Sequence, residues 1–156
     1  MTTNANAPRH TARLDYARTA PKAFRAMIAL DAAAREGLDP DLVELVQIRS
    51  SQLNGCAYCL DMHVKDARKA GESDERIYLL PAWREAPEGV YSERDRAALA
   101  LAEQITHIGG GVCDEVYGRA AELFPEQELA QLISLCYTIN AWNRINVATR
   151  KTPGAH

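Results

Sequence analysis

The sequence predicts an all-α protein, a compact bundle of about six to seven helices built as one domain. Three observations predict it. Ala, Leu, Glu and Arg dominate the chain, and they are the residues that lose least on entering a helix. Apolar residues recur at helical spacing almost throughout, with no stretch of strict alternation and no hairpin signal. Breakers such as Asn54-Gly55, Gly71 and Gly109-Gly110-Gly111 cut the chain into segments of helix length. A hydrophobic fraction of 47% and a charged fraction of 25% suit a globular domain that fills its own core.

Residues 1–12 read as a flexible tail, and residues 13–156 as one helical domain. A first helix is expected from Pro21 to Glu36, stopped by Gly37. The next opens at Asp39-Pro40, with Asp as cap and Pro at the first helical position, and runs to Leu53. A third starts at or near Cys56 and continues to Ala70, where Gly71 ends it. Asp74 to Trp83 reads as a short helix, and Arg84 to Tyr91, holding Pro87 and Gly89, as a loop. Ser92 with Asp95 resembles a capping box and opens a helix to His107. Asp114 to Leu123 forms another. The last helix runs from Pro125 to Arg150 and carries Leu129, Leu132, Ile133, Leu135, Ile139, Trp142, Ile145 and Val147. A helix so apolar on all sides is buried on all sides, so an oligomer is expected.

The net charge is −3, and the basic residues are scattered among acidic neighbours, as in Glu93-Arg94-Asp95-Arg96. Nucleic acid is therefore not an expected partner. No apolar run reaches the ~18 residues of a membrane span, and Met1 to Pro8 is polar, so cytoplasmic residence without a membrane partner is expected. Four cysteines are present: Cys56 and Cys59 three residues apart, Cys113 and Cys136 alone. In a reducing compartment that pattern reads as redox or metal chemistry.

Cys56, Cys59 and His63 fall at steps of three and four residues, on one face of one helix. Asn54-Gly55 puts Cys56 at the first turn, where unpaired N–H groups favour a thiolate. On that argument alone Cys56 is the better nucleophile. A peroxide requires a thiolate, a proton donor for the departing oxygen and a second thiol to resolve the sulfenic acid, and this segment holds all three. The competing reading is a zinc half-site with His63 as third ligand; a fourth ligand is not evident, since Cys113 and Cys136 are single and distant. Glu44 sits in the apolar setting Leu42-Val43-Glu44-Leu45-Val46, on the helix before the cysteines. A tight turn can fold it back against His63; equally, it can be a solvated residue on a polar stripe with Gln47 and Ser51. Cys113 and Cys136 read as bystanders, and Trp83, Trp142 and Tyr137 as packing.

The pattern Glu44-(eleven residues)-Cys56-x-x-Cys59-x-x-x-His63 resembles the signature of the AhpD-like alkylhydroperoxidases, within the carboxymuconolactone decarboxylase superfamily. Leu14-Asp15-Tyr16, Asp61-Met62-His63-x-x-Asp66-Ala67-Arg68, Ala82-Trp83-Arg84-Glu85 and Ile139-Asn140-Ala141-Trp142-Asn143-Arg144 are similar to its single-domain branch. The resemblance implies an all-α AhpD-like fold, assembly into trimers or hexamers, and a peroxidase of antioxidant defence. It implies Cys59 as the peroxide-attacking cysteine and Cys56 as the resolving one. His63, supported by Glu44 through a water, would be the base that deprotonates Cys59. No cofactor or metal is implied; the reductant would be an external dithiol of lipoyl or thioredoxin type. One position departs from the pattern: the histidine usually found just before the second cysteine is Tyr58 here. The alternatives are a lactone decarboxylase, the superfamily's other chemistry, and a non-enzymatic redox sensor.

Overall fold

The computed structural model describes residues 11–154. Among them no strand occurs; there are eight α-helices and two short 3-10 segments, somewhat more than the six to seven helices expected. Most of the expected tail, residues 1–10, lies outside the described residues, while Thr11 and Ala12 are exposed and non-helical. The additional helix is α1 (Tyr16–Thr19), a single turn that exists because the Asp15 carboxylate accepts the Arg18 N–H at 3.1 Å. Then follow α2 (Pro21–Arg35) and α3 (Pro40–Asn54), each with proline in its first turn, where an N–H has no helical partner. Asp39 caps α3 as expected, accepting from the Asp41 N–H at 2.9 Å.

Gly55 ends α3 in the left-handed region, at φ 63°. Its N–H reaches the Gln52 carbonyl, and the Cys56 N–H reaches that of Ser51 at 3.0 Å. This closure reverses the chain in one residue, so α4 (Ala57–Lys69) packs back along α3. The predicted helix over 74–83 is shorter: α5 (Asp74–Tyr78) stops, and residues Leu80–Glu85 continue as a 3-10 segment kinked at Ala82. Pro81 supplies the reason, since it has no N–H for a helical bond and its ring crowds the preceding turn. The Ser92–Asp95 capping box is present at the start of α6 (Glu93–Thr106). A 3-10 turn over Ile108–Gly110, α7 (Asp114–Leu123) and α8 (Glu126–Thr149) complete the chain.

Helix α3 is the central element, packed against α4, α6 and α8. Leu42, Val43 and Val46 face α6 and α8 and join Leu101, Leu132 and Leu135 in one core. Leu45 and Ile48 face the other way and meet Ala67, Leu80, Trp83 and Leu99 in a second. Each fully buried leucine contributes about 1.5–3 kcal/mol against exposure, so both faces of α3 hold it firmly. Helix α8 is only partly as expected. Leu132, Leu135 and Ile139 are fully buried within the chain, while Tyr137 and Val147 are each 46% exposed, so one strip of the helix faces outward from a single subunit. The buried side also carries asparagines. Asn54 at the end of α3 donates to Asn140 and Asn143 at 2.8 and 2.9 Å, and Asn143 donates to Ser51 at 3.0 Å. No helix among the described residues is long and apolar enough to cross a membrane.

Candidate active site

The α3–α4 hairpin brings all four sequence-selected residues together. Cys56 has an extended backbone and caps α4, its sulfur accepting the Cys59 N–H at 3.3 Å. The two cysteines are joined as a disulfide, with Cα atoms 5.4 Å apart. Tyr58, Cys59, His63 and Ala67 form the buried face of α4, with Cys59, His63 and Ala67 one turn apart as helical period requires. His63 is 3% exposed, and its Nδ1 lies 3.0 Å from Oε2 of Glu44. The sequence resemblance implied a water between acid and ring; the structure shows direct contact, because the single-residue reversal at Gly55 draws the two helices close. Glu44 is not on a solvated stripe either, since Gln47 and Ser51 beside it are fully buried.

An ionised carboxylate only accepts, so with Glu44 ionised and the ring neutral this contact places the imidazole proton on Nδ1 and leaves the Nε2 lone pair for chemistry. Glu44 is held in turn by α2. Arg35 Nη1 stands 3.7 Å from its second oxygen, and Arg35 Nε donates to Asp31 at 2.8 Å. An acid–base–acid chain therefore runs along α2 to α3 and ends on the ring.

Beside these groups lies a cavity of about 320 Å³. Phe24 and Ile28 of α2, Met62 of α4 and Trp142 of α8 give it apolar walls, and Phe24 meets Trp142 edge-to-face with centroids 5.7 Å apart. Cys59 and His63 line it; Cys56 does not. The first-turn argument favours Cys56, whereas of the two motif sulfurs it is Cys59 that lines the cavity. The Cys56 sulfur is turned into the helix terminus as the cap, and access from the cavity belongs to Cys59. Tyr58, in the position of the missing histidine, is buried, with the Lys151 ammonium 4.2 Å above its ring centroid.

Beyond the α2 residues Asp31 and Arg35 and the apolar walls, two polar residues near the C-terminal end of the described chain also escaped the sequence reading. Lys151 follows α8, and Asn146 within α8 donates its amide N–H to Cys59 Sγ at 3.3 Å. A signal for Asn146 existed: Asn140, Asn143 and Asn146 recur every three residues on an otherwise apolar helix. Cys113 and Cys136 join neither motif sulfur. Cys113 is exposed just before α7, where the Gln104 amide helps lower its pKa; Cys136 is fully buried, and that burial pushes its thiol up to about 12. Among the described residues, no group of three or more His, Cys, Asp or Glu side chains could hold a metal ion.

Comparison with known proteins agrees with this architecture. The profile of the carboxymuconolactone decarboxylase family matches residues 21–104. The uncharacterised protein YdfG of Bacillus subtilis (strain 168) is 41% identical over 138 residues, covering 87% of this chain and 92% of that protein. A crystal structure from Agrobacterium tumefaciens, ATU0492, described as a candidate antioxidant defence protein AhpD, superposes with a TM-score of 0.88 at 35% identity over 94% of this chain and 100% of that one. The debrominase Bmp8 shares the fold alone, with a TM-score of 0.77 at 20% identity over 88% of this chain and 74% of its own.

Proposed function

The chain belongs to the carboxymuconolactone decarboxylase family and is AhpD-like, and from that premise we propose that it is a thiol-dependent hydroperoxide reductase of antioxidant defence. The observation that carries the reading is the position of Cys59. Its sulfur lines the cavity beside the His63 ring, and it lies within bonding reach of Cys56 behind it.

In this reading His63 Nε2 takes the Cys59 proton, and Glu44 steadies the imidazolium that results. The thiolate attacks the distal oxygen of a hydroperoxide. The S–O bond forms, the O–O bond breaks, and the departing alkoxide takes the proton back from His63 and leaves as alcohol. Cys56 then attacks the sulfur of the sulfenic acid; the S–S bond forms and the hydroxyl leaves with a proton as water. An external dithiol of lipoyl or thioredoxin type attacks the disulfide and is itself oxidised, returning both cysteines to thiols. Apolar walls of Phe24, Ile28, Met62 and Trp142 suit an organic hydroperoxide. A trimer or hexamer is part of the proposal.

The test is steady-state turnover of tert-butyl hydroperoxide with dihydrolipoamide as reductant. Cys59→Ser should abolish it, and Cys56→Ser should stop at a sulfenic acid that dimedone traps on the peptide holding Cys59. Unchanged turnover in Cys59→Ser would overturn the proposal.

A further inference from the structure

Helix α8 presents three buried asparagines to the rest of the bundle, and two of them have structural partners. Asn140 donates to Thr106 Oγ1 at 3.0 Å and to the Cys136 carbonyl at 2.8 Å, while its oxygen accepts from Asn54. Asn143 joins Ser51 and Asn54. Asn146 differs. Among the described residues, the one hydrogen bond its side chain makes is to Cys59 Sγ, at 3.3 Å, and the side chain lines the same cavity as that sulfur.

The bonded sulfur of a disulfide is a weak acceptor, so this donor gains little in the oxidised protein. A thiolate is a strong one, and an N–H donated to it is charge-assisted. The demand for such a donor is high here. Cys59 is 1% exposed, water reaches it poorly, and burial by itself disfavours a thiolate. The imidazolium that His63 becomes supplies one donor to the anion, and in so buried a site a second donor adds to it.

We propose that Asn146 is a catalytic residue whose amide N–H stabilises the Cys59 thiolate, and that it thereby both activates the nucleophile and biases the Cys56–Cys59 couple toward the reduced form. The inference rests on the reading of Cys59 as the cavity-facing reactive sulfur. It does not depend on which oxidant that sulfur meets.

The experiment measures the rate at which iodoacetamide alkylates Cys59 against pH, read by mass spectrometry of its peptide so that exposed Cys113 does not interfere, in the Cys56→Ser protein. Adding Asn146→Ala should move the midpoint of the profile up by about one pH unit. The rate should fall about tenfold below both midpoints and converge with the parent above them. Asn146→Asp keeps the shape but replaces the donor with an anion, and should move the midpoint further. Either variant that retains the parent circular dichroism decides the question. With both cysteines present and at a pH above both midpoints, Asn146→Ala should favour the disulfide about tenfold against a glutathione buffer, equivalent to a potential about 30 mV more negative. A midpoint unmoved in both variants would overturn the inference. A displaced midpoint in a protein that turns over no hydroperoxide would sink the peroxidase reading and leave this one standing.

Discussion

Replacing Glu44 with glutamine probes the acid–ring contact on which proton transfer depends in the proposed mechanism. Glu44 Oε2 stands 3.0 Å from His63 Nδ1, and the two side chains are only 16% and 4% exposed, so water competes weakly for either group. A hydrogen bond with one ionised partner is worth about 1.5–3 kcal/mol, which at ~1.4 kcal/mol per decade means about a 10- to 150-fold loss once it is gone. Glutamine does more than delete it. Its amide can turn an N–H toward Nδ1, which drives the ring proton to Nε2 and removes the lone pair that would accept from Cys59. Glu44→Ala lacks that ability and leaves the ring free to choose its tautomer. Glu44→Gln is therefore expected to be at least as damaging as Glu44→Ala in kcat/KM for tert-butyl hydroperoxide, with circular dichroism checking that both fold. The reasoning fails if Glu44→Gln stays within about threefold of the parent, or if the alanine variant proves far worse than the glutamine one.

Two further predictions concern groups outside the site. The Glu103 carboxylate accepts from Arg49 and Trp83 at 2.8 Å each and from Arg84 at 2.5 Å. Burial would raise its pKa, but the hydrogen bonds from Trp83, Arg49 and Arg84 outweigh that and hold it below the ordinary value. A depressed folded pKa gives stability that is present above the unfolded carboxyl pKa and is lost as pH falls through the folded one. Glu103→Gln leaves the Arg49 cation buried without its counter-charge, so thermal unfolding at neutral pH should show a loss of about 3 kcal/mol, roughly 6–12 °C. The deficit should shrink on acidification; parallel stability curves down to strongly acidic pH would contradict the assignment. In native protein, iodoacetamide should label Cys113 readily and leave Cys136 untouched until unfolding, because one thiol is exposed with its pKa lowered and the other is buried with its pKa at about 12. Comparable labelling of both by peptide mass spectrometry would refute that.

Much of this architecture was legible because local chemistry and tertiary need agree. Asp39-Pro40, Gly55 and the Ser92–Asp95 box sit at helix ends that use them for the reasons their residue types suggest. The site was legible for a related reason. Glu44, Cys56, Cys59 and His63 belong to one hairpin, so helical period and one turn suffice to juxtapose them. What escaped needed longer reach. The single turn α1 rests on one cap, below what periodicity can register. The end of α5 follows from Pro81, whose effect on a weak helix pattern is easily underweighted. Asn146 lies 87 residues from Cys59 in the chain, and no local pattern reports which face of α8 meets which helix. Tyr137 and Val147 face outward from the single chain, and counting apolar residues around a helix cannot tell cover by the chain itself from cover by another subunit.

The division of labour between near and far parts of the chain has an evolutionary corollary. The four hairpin residues of the proposed proton and sulfur chemistry fall in a span of twenty residues, from Glu44 to His63, whereas most of the cavity's apolar wall, Phe24 and Ile28 on one side and Trp142 on the other, comes from α2 and α8. Substitutions in α2 and α8 can therefore reshape which molecule is admitted while the reactive hairpin is inherited unchanged, so selectivity should diverge among descendants faster than the reaction does.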